Sequence, residues 1–184
     1  SSKVSITSNQ TLYAHWTINS YTVTFNANGG SVSPSSSRVN YNSNVTLPTP
    51  SRANYRFDGW YTSISGGNRV GGGGNSYKVT GNTTLYAHWT ADSYTITFNA
   101  NGGRVSPTQL SASYNGYITL PTPTRSGYSF KGWYTASSGG SKVGDAGASY
   151  KVTYSRTLYA QWGYDVDRHT HVYTARSAAS NMRV

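Results

Sequence analysis

Residues 164–172 read YDVDRHTHV, and in that run Asp165, Asp167, His169 and His171 stand at every second position. Side chains two apart share one face of an extended strand. Two carboxylates and two imidazoles on one face form a donor set suited to a divalent cation. A tail without fixed structure, in which the alternation is chance, would carry the same letters. The adopted expectation is no metal and no cofactor, with these four residues as the candidates should a cation bind.

The remaining reactive groups can be tested against copies of themselves. TLYAHWT occupies 11–17 and again 84–90, and TLYAQW stands at 157–162. His15 and His88 therefore fill the slot that Gln161 fills in the last copy. A general base or metal ligand does not survive replacement by an amide, so the slot reads as a surface position on a strand. Asp58 meets the same objection, because Lys131 is its counterpart. A lysine–asparagine isopeptide crosslink needs a carboxylic acid beside it. The chain has no Glu and Asp58 is not repeated, so no crosslink is expected. No Ser, His and Asp set recurs between copies, and no glycine-rich loop of the phosphate-binding kind leads into a helix. With no Cys, thiolate nucleophiles, thiolate zinc sites and disulfides are ruled out. The expectation is a protein that is not an enzyme.

What is left is recognition chemistry. GWYT recurs at 59–62 and 132–135, and strict alternation would turn Trp60 and Tyr61 to opposite faces. Aromatic faces suit sugar rings, although core packing accounts for such residues equally well. A ligand or interface surface is expected at Tyr61, Tyr134, Tyr86 and Tyr159, with Arg52 and Arg125 supplying charge. The net charge is +10, from 15 Lys and Arg against 5 acids. The arginines are spaced singly, which reads first as a general positive field that aids solubility; the alternative reading is attraction to anionic polymers such as wall polymers or glycosaminoglycans. Without a basic cluster, no nucleic-acid partner is expected.

These residues have to be positioned by a repeat. Tyr21 maps onto Tyr94, 73 residues on, and the offset holds without a gap to Trp89 and Trp162. Between 21–89 and 94–162, 42 of 69 positions are identical, which requires one fold built twice. The expected modules are 21–90 and 94–162, with 163–184 as a non-repeat tail. Residues 1–17 read as the terminal strand of a preceding, incomplete repeat, packed on the first module or on a neighbour. Within a module, YTVTF alternates as a half-buried strand. Asn28-Gly29 signals a hairpin turn. An extended stretch covers 38–47 and is stopped by LPTP. YRFDGWYT is a further strand with Gly59 at a bulge. Residues 65–74 read as a glycine loop, SYKVT as a short strand, and TLYAHW closes the unit with Leu85, Ala87 and Trp89 inward. The expected core is Val23, Phe25, Leu47, Phe57, Trp60, Leu85, Ala87 and Trp89, with their partners 73 residues on. Prolines at 48 and 50 leave room for one helical turn at most, around 48–56.

Composition agrees. Aromatic residues make up 14% of the 184-residue chain, too many for a disordered segment even at a mean hydropathy of −0.56. The abundance of Thr, Tyr, Val, Gly and Asn favours sheet and tight turns over helix. No apolar run is long enough to span a membrane as a helix. No signal peptide is recognisable, so export would need a signal outside these residues.

YTVTFNANGG, LPTPSRANYRFDGWYT and TLYAHW in that order resemble the Listeria–Bacteroides repeat family, the B-repeat of internalin-type bacterial surface proteins. The motif reads GYSFKGWYT at 127–135, whereas the first copy departs from it with Asn54 in place of Gly127. The resemblance implies mainly-β, β-grasp-like modules in tandem on secreted or cell-surface proteins. It implies a structural or adhesive role as a stalk or spacer, with neighbouring repeats or copies of itself as partners. Two alternatives stand beside it. One is a module that binds cell-wall or host glycans or other anionic polymers. The other is an extracellular filament subunit assembled by strand exchange.

Overall fold

The computed structural model describes residues 7–9 and 11–165, in two compact units, Ser1–Thr90 and Ala91–Val184. The first holds β1 (Ser20–Asn26), β2 (Ser36–Asn40), β3 (Asn44–Thr46), β4 (Tyr55–Tyr61), β5 (Arg69–Gly71), β6 (Ser76–Lys78) and β7 (Thr83–Ala91). The second repeats them as β8 (Ser93–Asn99), β9 (Gln109–Ser113), β10 (Tyr117–Thr119), β11 (Tyr128–Tyr134), β12 (Lys142–Gly144), β13 (Ser149–Lys151) and β14 (Arg156–Tyr164). No helix occurs among the described residues, which are all-β. Each unit has a five-stranded sheet, β2-β1-β7-β4-β5 or β9-β8-β14-β11-β12, and a separate two-stranded one, β3-β6 or β10-β13. The strands that open and close a unit, β1 with β7 and β8 with β14, are adjacent and parallel.

Burial follows alternation. In β1, Val23 and Phe25 are buried while Thr24 and Asn26 are exposed, and in β7 Leu85 and Ala87 are buried. Trp60 is fully buried against Phe25 and Phe57, with ring centroids 5.3 and 5.6 Å away, and Trp133 repeats this with Phe98 and Phe130. Phe57 and Trp60 both reach the core although an odd spacing separates them. The second unit shows how. Phe130 faces Trp162 and Gly132 faces Gln161, so Lys131 is an extra residue that turns the strand over. Gly132 and Gly59 take φ of 135° and 146° at this bulge, a region that favours glycine. Phe57 and Trp89 are half-buried at the core margin rather than inside it. Val45 and Val79, with Ile118 and Val152, complete the cores.

Five expectations change. The extended stretch 38–47 is two strands in two sheets, separated by a turn in which Asn42 has a φ of 67°. The glycine loop 65–74 contains β5. Around 48–56 the chain makes a turn, closed by Tyr55 N donating to Arg52 O at 3.2 Å, instead of a helical turn. Asn28-Gly29 does form a tight turn, with Gly30 N donating to Ala27 O at 3.0 Å. It does not join paired strands directly, because β2 begins only at Ser36. Finally, residues 11–17 form no strand, and Leu12 and Trp16 are 74% and 92% exposed, so this copy of the motif is not packed on the first unit. Its copies β7 and β14 each lie between two neighbouring strands of their own unit, and residues 11–17 have no such pair beside them.

Candidate functional site

The candidate residues Arg52 and Tyr61 lie in a cluster where the first turn, the 48–55 segment and the end of the closing strand meet. Asn28 begins the cluster. Its φ of 46° keeps it in the Asn-Gly turn, and its Nδ2 donates to Ala87 O at 3.1 Å. Trp89 Nε1 donates to Ala27 O at 2.9 Å, so turn and closing strand hold each other reciprocally. Gly30 makes room for the indole, since a Cβ there would lie 2.7 Å from Trp89 Cζ2. The second unit repeats both bonds, Asn101 Nδ2 to Ala160 O at 3.0 Å and Trp162 Nε1 to Ala100 O at 3.0 Å.

Arg52 packs over this turn. Its guanidinium carbon lies 3.8 Å from the centre of the Tyr55 ring, a cation–π arrangement, and Nη1 donates to Asn28 O at 3.4 Å. Arg125 does the same with Tyr128, at 3.9 Å, and with Asn101 O, at 3.2 Å. Tyr61 stacks on His88, ring centroids 3.9 Å apart and 7° from parallel. His88 Nε2 lies 2.9 Å from Ser63 O, and a carbonyl can only accept, so that nitrogen carries the proton. Gln161 donates to Ala136 O at 3.1 Å and Gly139 O at 2.6 Å. The slot therefore needs a donor that pins the adjoining loop, which either side chain supplies.

These groups line an open hollow of about 330 Å³ in the first unit, bounded by Asn28, Arg52, Asp58, Tyr61, His88 and Trp89. Its counterpart, about 240 Å³, is bounded by Asn101, Arg125, Tyr128, Gln161 and Trp162. Asp58 carries negative charge at the first hollow, where it accepts from Thr90 Oγ1 at 2.6 Å and lies 3.6 Å from Arg56. Its counterpart Lys131 is positive. Elsewhere in the second unit, Lys142 is bound to Asp145 at 2.7 Å, and that hydrogen bond raises its pKa above the ordinary lysine value.

Of the residues singled out in the sequence, Arg52 and Tyr61 come together in one hollow and Arg125 lines the other. Tyr134 faces Tyr159 across β11 and β14, outside the hollow, and Tyr159 borders a shallow depression with Thr97, Asn99 and Arg104. Tyr86 faces Asn26 across β7 and β1. All four tyrosines are half-buried. Asp165 ends the described chain, its amide donating to Gly127 O at 3.1 Å, while Asp167, His169 and His171 lie outside the described residues. Sequence reasoning missed Asn28 and Tyr55 as partners of Arg52, and Trp89 as a wall of the same hollow. The available signal was that Arg52 and Tyr55 recur at 125 and 128 although Ser51, Ala53 and Asn54 between and beside them do not. Asn54, the departure from the motif, keeps its conformation, with a φ of 64° against 76° for Gly127. Asn is among the residues that tolerate this region.

Together the fold and its repeated latches define a tandem array of small all-β modules. The model of the Listeria-Bacteroides repeat domain matches residues 21–88 and 94–161, and the chain belongs to that family. Over 161 residues it is 35% identical to a protein of Evansella cellulosilytica whose name describes a Gly-rich membrane protein, covering 85% of this chain and 18% of that one. It is 34% identical over 144 residues to Internalin H of Listeria monocytogenes, covering 77% of this chain and 25% of that one. The chain thus spans a quarter or less of the length of these relatives. No solved structure matches it significantly. No helix among the described residues is long and apolar enough to cross a membrane.

Proposed function

We propose that the chain is a spacer section of a bacterial cell-surface protein, a stalk that holds another part of that protein away from the cell. Family membership and the likeness to Internalin H support a surface location. The observation that carries the spacer reading is that the two units share no core residue, yet repeat the same core and latches at one offset. Such a unit can be added or removed without redesigning its neighbours. In a surface-displayed form bearing an N-terminal epitope, removing residues 94–162 is expected to reduce access of antibody to the epitope through the wall. Unchanged access would count against a spacer.

The hollows favour a second reading, contact with acidic glycans. A guanidinium has five N–H donors in a fork that matches a carboxylate, and Arg125 directs one to Asn101 O. Trp162 and Tyr128 add aromatic surface, and Lys131 stands where the first unit has Asp58. Arg125→Lys keeps the charge and loses the fork. Retention on immobilised polygalacturonate should fall in this variant, while retention on polyglutamate should not. Equal retention of variant and parent on both supports would reduce the effect to net charge. Strand exchange is the least favoured alternative, because an incoming copy of residues 11–17 would have to displace β7 or β14 from between two neighbours.

A further inference from the structure

We infer that each module is a shear clamp, built to resist tension applied along the chain. This rests on the spacer reading for its use, but the mechanical property stands on geometry alone. A load passing through the array enters a module at the start of β1 and leaves at the end of β7. Those strands are neighbours and run parallel, in the register Val23–Thr83, Thr24–Thr84, Phe25–Leu85 and Asn26–Tyr86. The start of one and the end of the other therefore lie at opposite ends of the pair. Tension slides β1 along β7 and loads the bonds between them together. A hairpin pulled from its open end yields one pair at a time.

The clamp is longer than its backbone ladder. Below the first pair, Thr22 N donates to Asn82 Oδ1 at 2.8 Å. Above the last, the two bonds of Asn28 and Trp89 continue the link between the same two segments. In the second unit Thr95 N donates to Ser155 Oγ at 3.0 Å. Asparagine has become serine, and the bond is kept. Asn101 and Trp162 close the other end as before. Three side-chain links, placed outside both ends of a parallel pair and repeated despite a change of residue, are more than a short sheet needs to close. Each bond bridges the two strands that the load would drive past one another. Forced unfolding is set by the unfolding barrier and not by the equilibrium stability, so bonds across this seam raise resistance to force beyond their share of stability.

The chain has no cysteine, so paired cysteines define the pulling axis. In the full chain, Ile18→Cys with Asp92→Cys applies load in line, across the β1–β7 seam. Ile18→Cys with Ser43→Cys peels β2 from β1 at their shared end, where Ser20 faces Asn40. Single-molecule extension is expected to require several times more force in line than in peeling. Asn82→Ala and Trp89→Phe should lower the in-line force and leave the peeling force unchanged. Equal forces in the two geometries, or an in-line force indifferent to both substitutions, would overturn the clamp. A module that fails as a clamp while residues 94–162 still set epitope reach would remain a spacer, and the reverse outcome would leave a clamp without that role.

Discussion

Replacing Trp60 by alanine is expected to cost the first module about 3–5 kcal/mol, the usual result of emptying a large aromatic core site. The indole is fully buried and packs on Phe25 and Phe57. It also donates through Nε1 to Pro48 O at 2.8 Å. Alanine leaves that carbonyl without its donor, beside a void that the neighbouring strands cannot close. A domain near 70 residues has a total stability of about 4–10 kcal/mol, so the loss consumes about a third of it or more. At this size each kcal/mol moves the midpoint by about 4–8 °C. Thermal unfolding followed by tryptophan fluorescence should then separate into two transitions. The upper one belongs to the second module, whose Trp133 sits in a core of its own and donates to Pro121 O at 2.9 Å. A common downward shift of a single transition would show that the modules melt as one. Trp89→Ala should cost less, because that indole is half-buried at the core margin.

The contrast between these two tryptophans shows what alternation can and cannot reveal. Val23, Phe25, Leu85 and Ala87 were legible because β1 and β7 are long enough for a period of two to register. Val45 and Val79 were not, because β3 and β6, which Val79 directly follows, have three residues each, too few for a period, and residues 47–75 separate them. The Asn28-Gly29 signal specified a backbone conformation correctly, yet the partner of β1 was set by tertiary packing, beyond the reach of a local turn rule. At the candidate site, Arg52 and Tyr61 stood out by type. Their assembly depended on a bulge and on contacts between segments some 24 to 62 residues apart, such as Arg52 with Asn28 and Trp89 with Ala27. The link from Asn82 to Thr22 was hidden for a different reason. Comparing copies by identity discards Asn82 and Ser155 as a mismatch, whereas comparing them by what they accept keeps both.

Gly30→Ala is expected to damage the first module by at least about 1–3 kcal/mol, the common cost of overpacking. Here flexibility is not the reason for glycine, since Gly30 does not need a positive φ. The reason is space. An added Cβ would come within 2.5 Å of Ser51 O and 2.7 Å of Trp89 Cζ2. The first obstacle is backbone, held by Ser31 N donating to Ser51 O at 2.8 Å and Ser51 N donating to Ser31 O at 2.9 Å. The second is the indole whose N–H holds Ala27 O. Relief on either side breaks a bond between the first turn and its neighbours, so the methyl cannot be accommodated by a small shift of one flexible side chain. Gly81→Ala supplies the matched control, because nothing lies within 4 Å of its added Cβ and its φ is not in the left-handed region. That variant should unfold within about 0.5 kcal/mol of the parent, as surface substitutions usually do. Chemical denaturation of both variants, with the indole N–H signal of Trp89 followed by NMR, decides the matter. A Gly30→Ala chain that keeps both its stability and an unshifted Trp89 signal would mean that the turn is free to move away from β7, and the latch would not hold the strands as argued.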